Sequence, residues 1–317
     1  MKSYKQLTQD QRYTLYNLRK IGFTQKKIAS ILGCHRSTIY REIKRNGLGD
    51  YRPLRAHNMY LERKANNRPP SKRTPEMEAF IRDHLEKKWS PEQIKGHCKR
   101  NGIDMVSHES IYQFIYHRTY KGEFLHYFLR RKVRKRKDRK SLKPRRSLTE
   151  NRPMIADRPD EVDQKSRMGD WEGDLIVGFK GSGFILTLVE RVSKYTLIGF
   201  CKSRESKVVT REIVRLFKQV PQEFKKTLTL DNGSEFAQFK NIRRRCKLDV
   251  YYANPYASWE RGLNENTNGL IRQYFPKRSS FKKIERPTLN YVQEELNKRP
   301  RKTLHYQTPY EIYHNVA

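Results

Sequence analysis

Apolar residues near the start of the chain recur at helical spacing. Leu15, Leu18 and Ile21 mark one helix, which Gly22 ends, and Thr24 is placed to cap a second marked by Ile28, Ala29 and Leu32. After a turn at Gly33, Ile39 and Ile43 face inward from a third. A small residue where helices cross, a glycine at the turn and an aliphatic anchor beneath the last helix are the packing logic of a helix-turn-helix. His35, Arg36, Ser37, Thr38, Tyr40, Arg41 and Lys44 then point outward as candidate DNA contacts. The plainer alternative is a three-helix bundle with a basic face.

Residues 50–73 are basic, contain proline and are weakly periodic, so they read as a linker or a loose helix plus linker. A second helical unit is expected over 74–128. Thr74 precedes Met77, Phe80, Ile81 and Leu85, and Ser90-Pro91-Glu92 supplies a cap, a first-turn proline and an acidic first turn. Val106–Tyr116 forms its third helix, capped by Ser107 or His108. It resembles another helix-turn-helix with a longer turn around Asn101-Gly102, and DNA binding and a packing or dimerisation role both remain open for it.

After Met154 the pattern changes. Asp174–Gly178, Phe184–Val189 and Thr196–Phe200 are short runs rich in β-branched and aromatic residues, and they predict a three-strand meander. A helix over Ser206–Val220 follows, then a buried strand Thr227–Leu230 that ends at Asp231. A helix over Ala237–Arg245, a strand Asp249–Tyr252 and amphipathic helices over Leu289–Leu296 and Thr308–Tyr313 complete the chain. Strands first, then strand–helix alternation, indicate an α/β domain with a mixed sheet. The expected organisation is a helix-turn-helix domain at 1–50, a basic linker at 51–73, a second helical domain at 74–128, a basic linker at 129–153 and the α/β domain at 154–317.

Charge narrows the partner. The 317 residues carry 69 Lys and Arg against 34 Asp and Glu, a formal net charge of +35. Such a chain repels itself unless a polyanion screens it, which points first to nucleic acid and second to an anionic membrane surface. Between Arg130 and Arg146 alone there are twelve basic residues and one acid, a segment suited to salt-sensitive, sequence-independent phosphate contact. No apolar run is long enough to cross a bilayer and no apolar signal core opens the chain, so a cytoplasmic, nucleoid-associated protein without membrane contact is expected. Cys34, Cys98, Cys201 and Cys246 stand singly, with no CxxC pair, and read as reduced thiols.

The stretch Asn254–Pro276, NPYASWERGLNENTNGLIRQYFP, is a polar loop running into a helix. Glu265 and Arg272 lie two helical turns apart and project from one face. Asn264, Asn266 and Asn268 suggest a surface made for polar contact, because asparagine is poorly suited to a helix interior. Upstream, Asp174 adjoins the first strand and Asp231 follows the fourth. Asp170 and Glu172 are alternatives to Asp174, and Glu235 is read as a cap of the following helix. Trp171 and Trp259 are read as packing residues that shape cleft walls. Three carboxylates in one cleft need counter-charge, which a divalent cation supplies.

The segments WEGDLI (Trp171–Ile176), DNGSEF (Asp231–Phe236) and Asn254–Pro276 resemble the three motifs of DDE transposases and retroviral integrases, with 33 residues between Asp231 and Glu265. Together with the N-terminal helix-turn-helix, they most closely resemble the bacterial insertion-sequence family numbered thirty, over essentially the whole chain. The resemblance implies an α/β RNase H-like (integrase core) catalytic domain behind the all-α region. It also implies Asp174, Asp231 and Glu265 as metal ligands, with Arg272 as an assisting base-side cation. The implied cofactor is Mg²⁺, as a two-metal site in which Mn²⁺ can substitute. The implied partners are double-stranded DNA, as terminal inverted repeats and target, and further copies of the chain, as a dimer or larger synaptic complex. The implied reaction is strand cleavage followed by strand transfer. A helix-turn-helix regulator with a purely structural C-terminal domain is the alternative.

Overall fold

The computed structural model describes residues 6–47, 50–67, 72–130, 152–255, 257, 260 and 262–315. The chain divides into two compact units, Met1–Lys72 and Arg73–Ala317.

In the first unit, α1 (Gln9–Lys20), α2 (Gln25–Ile31) and α3 (Arg36–Asn46) stand where the periodicity predicts. Thr8 closes a capping box with Gln11 on α1, Thr24 caps α2, and the His35 side chain caps α3. Leu15, Ile28, Ala29, Ile39 and Ile43 are buried together, whereas Ile21 is a C-cap residue and 72% exposed. The segment read as a linker, or a loose helix plus linker, contains a fourteen-residue helix, α4 (Pro53–Asn66). It belongs to this core through Ala56, which is buried with the preceding Tyr51. Its apolar signal is carried by too few residues to register as periodic. An ion pair also enters the core. Arg12 on α1 donates to Glu42 on α3 at 2.6 Å and to the Leu7 carbonyl at 2.7 Å, and Tyr51 bonds the same carboxylate. Burial, followed by the Glu42 charge, pushes the Tyr51 hydroxyl pKa up.

The second unit opens with α5 (Pro75–Glu86), α6 (Pro91–Arg100) and α7 (His108–Tyr120), packed around Ile81, Leu85, Ile94, Ile111, Phe114 and Ile115. Thr74, Ser90 and Ser107 are the caps, so the alternative of His108 is not taken. Ser90 and Gln93 close a capping box. The α6 helix is fastened to the C-terminal segment of the same unit. Gln93 donates to the Pro300 carbonyl at 2.7 Å and accepts from Arg299 at 2.9 Å, and Lys302 and Arg100 pair with Glu92 and Glu311. At Gly96 the Tyr306 ring occupies the space a β-carbon would need.

A short helix α8 (Asp160–Gln164) precedes a five-stranded sheet: β1 (Asp170–Val177), β2 (Phe184–Glu190), β3 (Thr196–Cys201), β4 (Thr227–Leu230) and β5 (Asp249–Tyr252). The strand order is β3-β2-β1-β4-β5. The first three strands pair antiparallel, and β4 and β5 continue parallel from β1, which is the mixed α/β architecture expected. One face packs on α9 (Ser206–Phe217) and α10 (Phe239–Cys246) through Trp171, Leu186, Leu188, Val209, Ile213 and Ile242. The other packs on α11 (Gly262–Ile271) and α12 (Arg286–Asn297) through Ile176, Ile185, Ile198, Leu270, Leu289 and Val292. The terminal helix α13 (Pro309–Asn315) returns Tyr313 to the first face, stacked on Tyr195 at 4.1 Å.

Strand β1 starts four residues earlier than its apolar run suggests. Asp170 and Glu172 are buried within it because both have partners: Asp170 bonds Thr227 and Arg167, and Glu172 bonds Arg191 at 2.5 Å. Asp174 is therefore a mid-strand residue. A β-carbon on the preceding Gly173 would lie 2.6 Å from Leu230, so glycine is what lets β1 and β4 close together here.

Candidate active site

The parallel register places Asp170, Trp171 and Glu172 beside Thr227, Leu228 and Thr229. Asp174 on β1 and Asp231, just past the end of β4, each stand two residues beyond its last pair, Glu172 and Thr229. Asp231 follows the end of β4, and one of its oxygens accepts from the Gly233 N–H at 3.0 Å. Asp174 is half-buried and faces α11. There the Asn268 amide donates to its Oδ2 at 2.6 Å. Thr187, wholly buried on β2 and opposite Asp174, holds that amide in place: its hydroxyl lies 3.4 Å from Asn268 Oδ1 and 3.3 Å from the Asp174 carbonyl.

Helix α11 brings the third carboxylate. Glu265 lies in its first turn, exposed, three residues before Asn268. A cleft of about 760 Å³ is lined by Asp174, Glu265, Asn268 and Arg272, with Arg130 and Lys277 adding charge. Glu265 and Arg272 thus share the cleft as their spacing predicts. The Arg272 guanidinium donates to the Val177 carbonyl at the end of β1 at 2.7 Å, and desolvation lowers its pKa. Among the described residues, no three His, Cys, Asp or Glu side chains gather closely enough to enclose a metal ion. Asp174, Asp231 and Glu265 each carry the hard oxygen donors that a divalent cation takes.

Several expectations are corrected. The three asparagines do not form one surface for polar contact. Asn264 is buried, Asn266 receives Arg130 at 2.9 Å, and Asn268 is committed to Asp174. Glu235 caps no helix. It is buried in an ion pair with Arg204, and α10 begins at Phe239 without a side-chain cap. Asp170 and Glu172, the alternative ligands, are occupied by Arg167 and Arg191. Trp171 packs on Phe217 and donates to the Phe224 carbonyl, within the core and not on the cleft wall. Trp259 and the basic run after Arg130 lie outside the described residues.

The sequence reading named Asn268 but missed its bond to Asp174. An Asn one helical turn after a candidate ligand was the available signal, but its partner is 94 residues away. It also missed Glu260, whose carboxylate takes both the N–H and the amide of Asn254 at 2.8 Å and closes the loop before α11. On α3, His35, Arg36, Tyr40, Arg41 and Lys44 are exposed, and Ser37 and Thr38 are half-buried. His35 is committed in part to its capping role, with Nδ1 2.7 Å from the Ser37 hydroxyl.

A family profile described as a helix-turn-helix domain matches residues 3–46. The transposase for insertion sequence element IS4351 of Bacteroides fragilis is 39% identical, aligned over 98% of this chain and 96% of that protein. Transposase InsI for element IS30A of Escherichia coli (strain K12) is 36% identical over 90% of this chain and 78% of that protein. The transposase for IS1086 of Cupriavidus metallidurans is 32% identical over 99% and 95%. Among solved structures, the catalytic core domain of BIV integrase superposes with a TM-score of 0.37 at 20% identity, over 47% of this chain and 96% of that one. Full-length similarity to IS4351 and IS30A, with motifs on a mixed sheet behind a helix-turn-helix, places the protein in the insertion-sequence transposases of family thirty.

Proposed function

We propose that the protein binds the terminal inverted repeats of an insertion sequence and cuts and joins DNA strands at the cleft between β1 and α11. The observation that carries this reading is the cleft that brings Asp174, Glu265 and Arg272 together, with Asp231 just past the end of β4, the strand that pairs with β1. Asp174, Asp231 and Glu265 would hold divalent metal, and their oxygen-only chemistry suits Mg²⁺, with Mn²⁺ as the near substitute. When bound, such a metal supplies counter-charge to the carboxylates and to the oxygens of the reacting phosphodiester.

The protein's own residues do the rest. Asn268 and Thr187 fix the Asp174 carboxylate, and the Gly233 N–H fixes Asp231. Arg272, tied to β1, and Lys277 offer positive charge at the rim for the DNA backbone. Sequence reading falls to α3, where Arg36 and Arg41 present planar donors suited to base edges. Assembly of two or more copies on paired ends belongs to the same reading.

A strand-transfer assay with element-end DNA and Mg²⁺ tests it. Asp231→Asn and Glu265→Gln should each lose cleavage and joining while keeping DNA affinity. Arg36→Ala should weaken binding to cognate ends by about 1–3 kcal/mol more than binding to random duplex. Full cleavage by either acid variant would sink the catalytic assignment of that residue, and no cleavage by the parent protein would favour the regulator reading.

A further inference from the structure

The end of the sheet opposite the carboxylates carries a second groove. Asp174 and Asp231 lie where β4 finishes; this groove lies where β4 and β5 begin, about 13 Å away along the strand. It encloses about 550 Å³, and its charged lining is Arg167, Lys225, Lys226, Arg243, Lys247 and Asp249. Arg243 neutralises Asp249 at 2.9 Å, and Arg167 is engaged by Glu161 and Asp170. Lys225, Lys226 and Lys247 have no acidic partner among the described residues, and Lys225 is half-buried.

The backbone holds these cations together. The Asp249 N–H bonds the Lys226 carbonyl at 2.9 Å, so the approaches to β4 and β5 run side by side. Lys247 is fixed in the left-handed region at φ 53° as the C-cap of α10, and the Gln222 amide holds its carbonyl. Lysines gathered beside an acid that Arg243 already pairs need an anion to be at ease. The groove spans the beginnings of two strands, and the exposed Arg244 and Arg245 follow its lining residue Arg243 on α10. That is the charge pattern of a surface that tracks a phosphate backbone.

We propose that this groove binds the backbone of double-stranded DNA independently of sequence, at a place separate from the strand presented to the carboxylates. The inference rests on the transposase reading only in taking DNA as the polyanion. Its test is an equilibrium measurement that needs no catalysis, so its failure and the failure of the active-site assignment are distinguishable.

The test compares full-length protein with a K225Q/K226Q/K247N variant, asparagine being chosen because it tolerates the left-handed backbone. Affinity for a mixed-sequence duplex is followed by fluorescence anisotropy from low to moderate KCl. The slope of log affinity against log salt should shrink by roughly 2–3, since each neutralised phosphate contact contributes about 0.9. A K207Q/K282Q/K283Q control removes as much charge elsewhere and should change the slope by less than about one. Should the groove variant misfold by circular dichroism, K225R/K226R/K247R takes its place and should keep the parent slope while single Lys→Gln changes lower it. An unchanged slope, as for a groove serving an acidic protein, overturns the proposal, and so does an equal fall in groove variant and control.

Discussion

Replacing Asn268 by alanine isolates the geometry of the proposed active site. The substitution leaves all three acids in place and removes the amide that holds Asp174 Oδ2 at 2.6 Å. A hydrogen bond to a charged group is worth about 1.5–3 kcal/mol, equivalent to roughly 10- to 150-fold in rate if all of it is felt in the transition state. Asp174 is only half-buried, so water replaces part of the lost bond and the lower part of that range, about 10- to 40-fold, is expected. Asn268→Asp should be worse, because a second carboxylate against Asp174 opposes ionisation of both. The assay is single-turnover cleavage of labelled element-end DNA at saturating Mg²⁺, with DNA affinity and thermal midpoint measured alongside. Cleavage within twofold of the parent for Asn268→Ala, or an aspartate variant as fast as the alanine one, would refute the positioning role.

Three further outcomes follow from packing and charge. Glu42→Ala leaves the Arg12 guanidinium buried without its carboxylate and should destabilise the first unit by about 3–5 kcal/mol, read by denaturation of the 1–72 fragment; a change under 1 kcal/mol would mean that water reaches the site. Gly96→Ala drives a methyl into the Tyr306 ring and should destabilise the second unit by about 1–3 kcal/mol of overpacking, whereas an unchanged melt would show that the ring moves aside freely. His84 and His97 pack edge-on against Trp89, and burial lowers both pKa values. The folded state therefore binds fewer protons than the unfolded one just below pH 6.5, so stability is complete above that value and falls as the pH drops through it. Ring titration by NMR should give both midpoints below 6.5, and values at or above it would contradict the packing.

What the sequence made legible was whatever repeats at short range. The three N-terminal helices, the Ser90 and Thr24 caps and the five strands follow from local periodicity and capping chemistry. The place of Asp231 at the end of β4 was legible because an apolar run stops there, and that of Glu265 on α11 because a polar loop there runs into a helical pattern. Partners far apart in sequence were not. Glu42 and Arg12 read as helix-surface charges, and only the crossing of α1 and α3 makes them a buried pair. Glu235 read as a cap because its partner Arg204 sits 31 residues earlier in another loop. The same holds for Asp170 and Glu172: their burial depends on Arg167, Thr227 and Arg191, so a pattern of apolar residues starts the strand too late.

The joint between α6 and the C-terminal segment dictates where the polypeptide can be dissected. A fragment beginning after the basic run, at residue 154, omits Gln93 and Glu92. It strips Arg299 of one of its two acceptors, and it uncovers the Tyr306 ring that Gly96 admits. Such a fragment displays a guanidinium and an aromatic face that the whole chain keeps covered, an invitation to aggregate in the test tube. A fragment beginning at Arg73 retains every one of these contacts, and it is the piece on which the chemistry proposed for Asp174, Asp231 and Glu265 can be studied apart from the N-terminal helix-turn-helix.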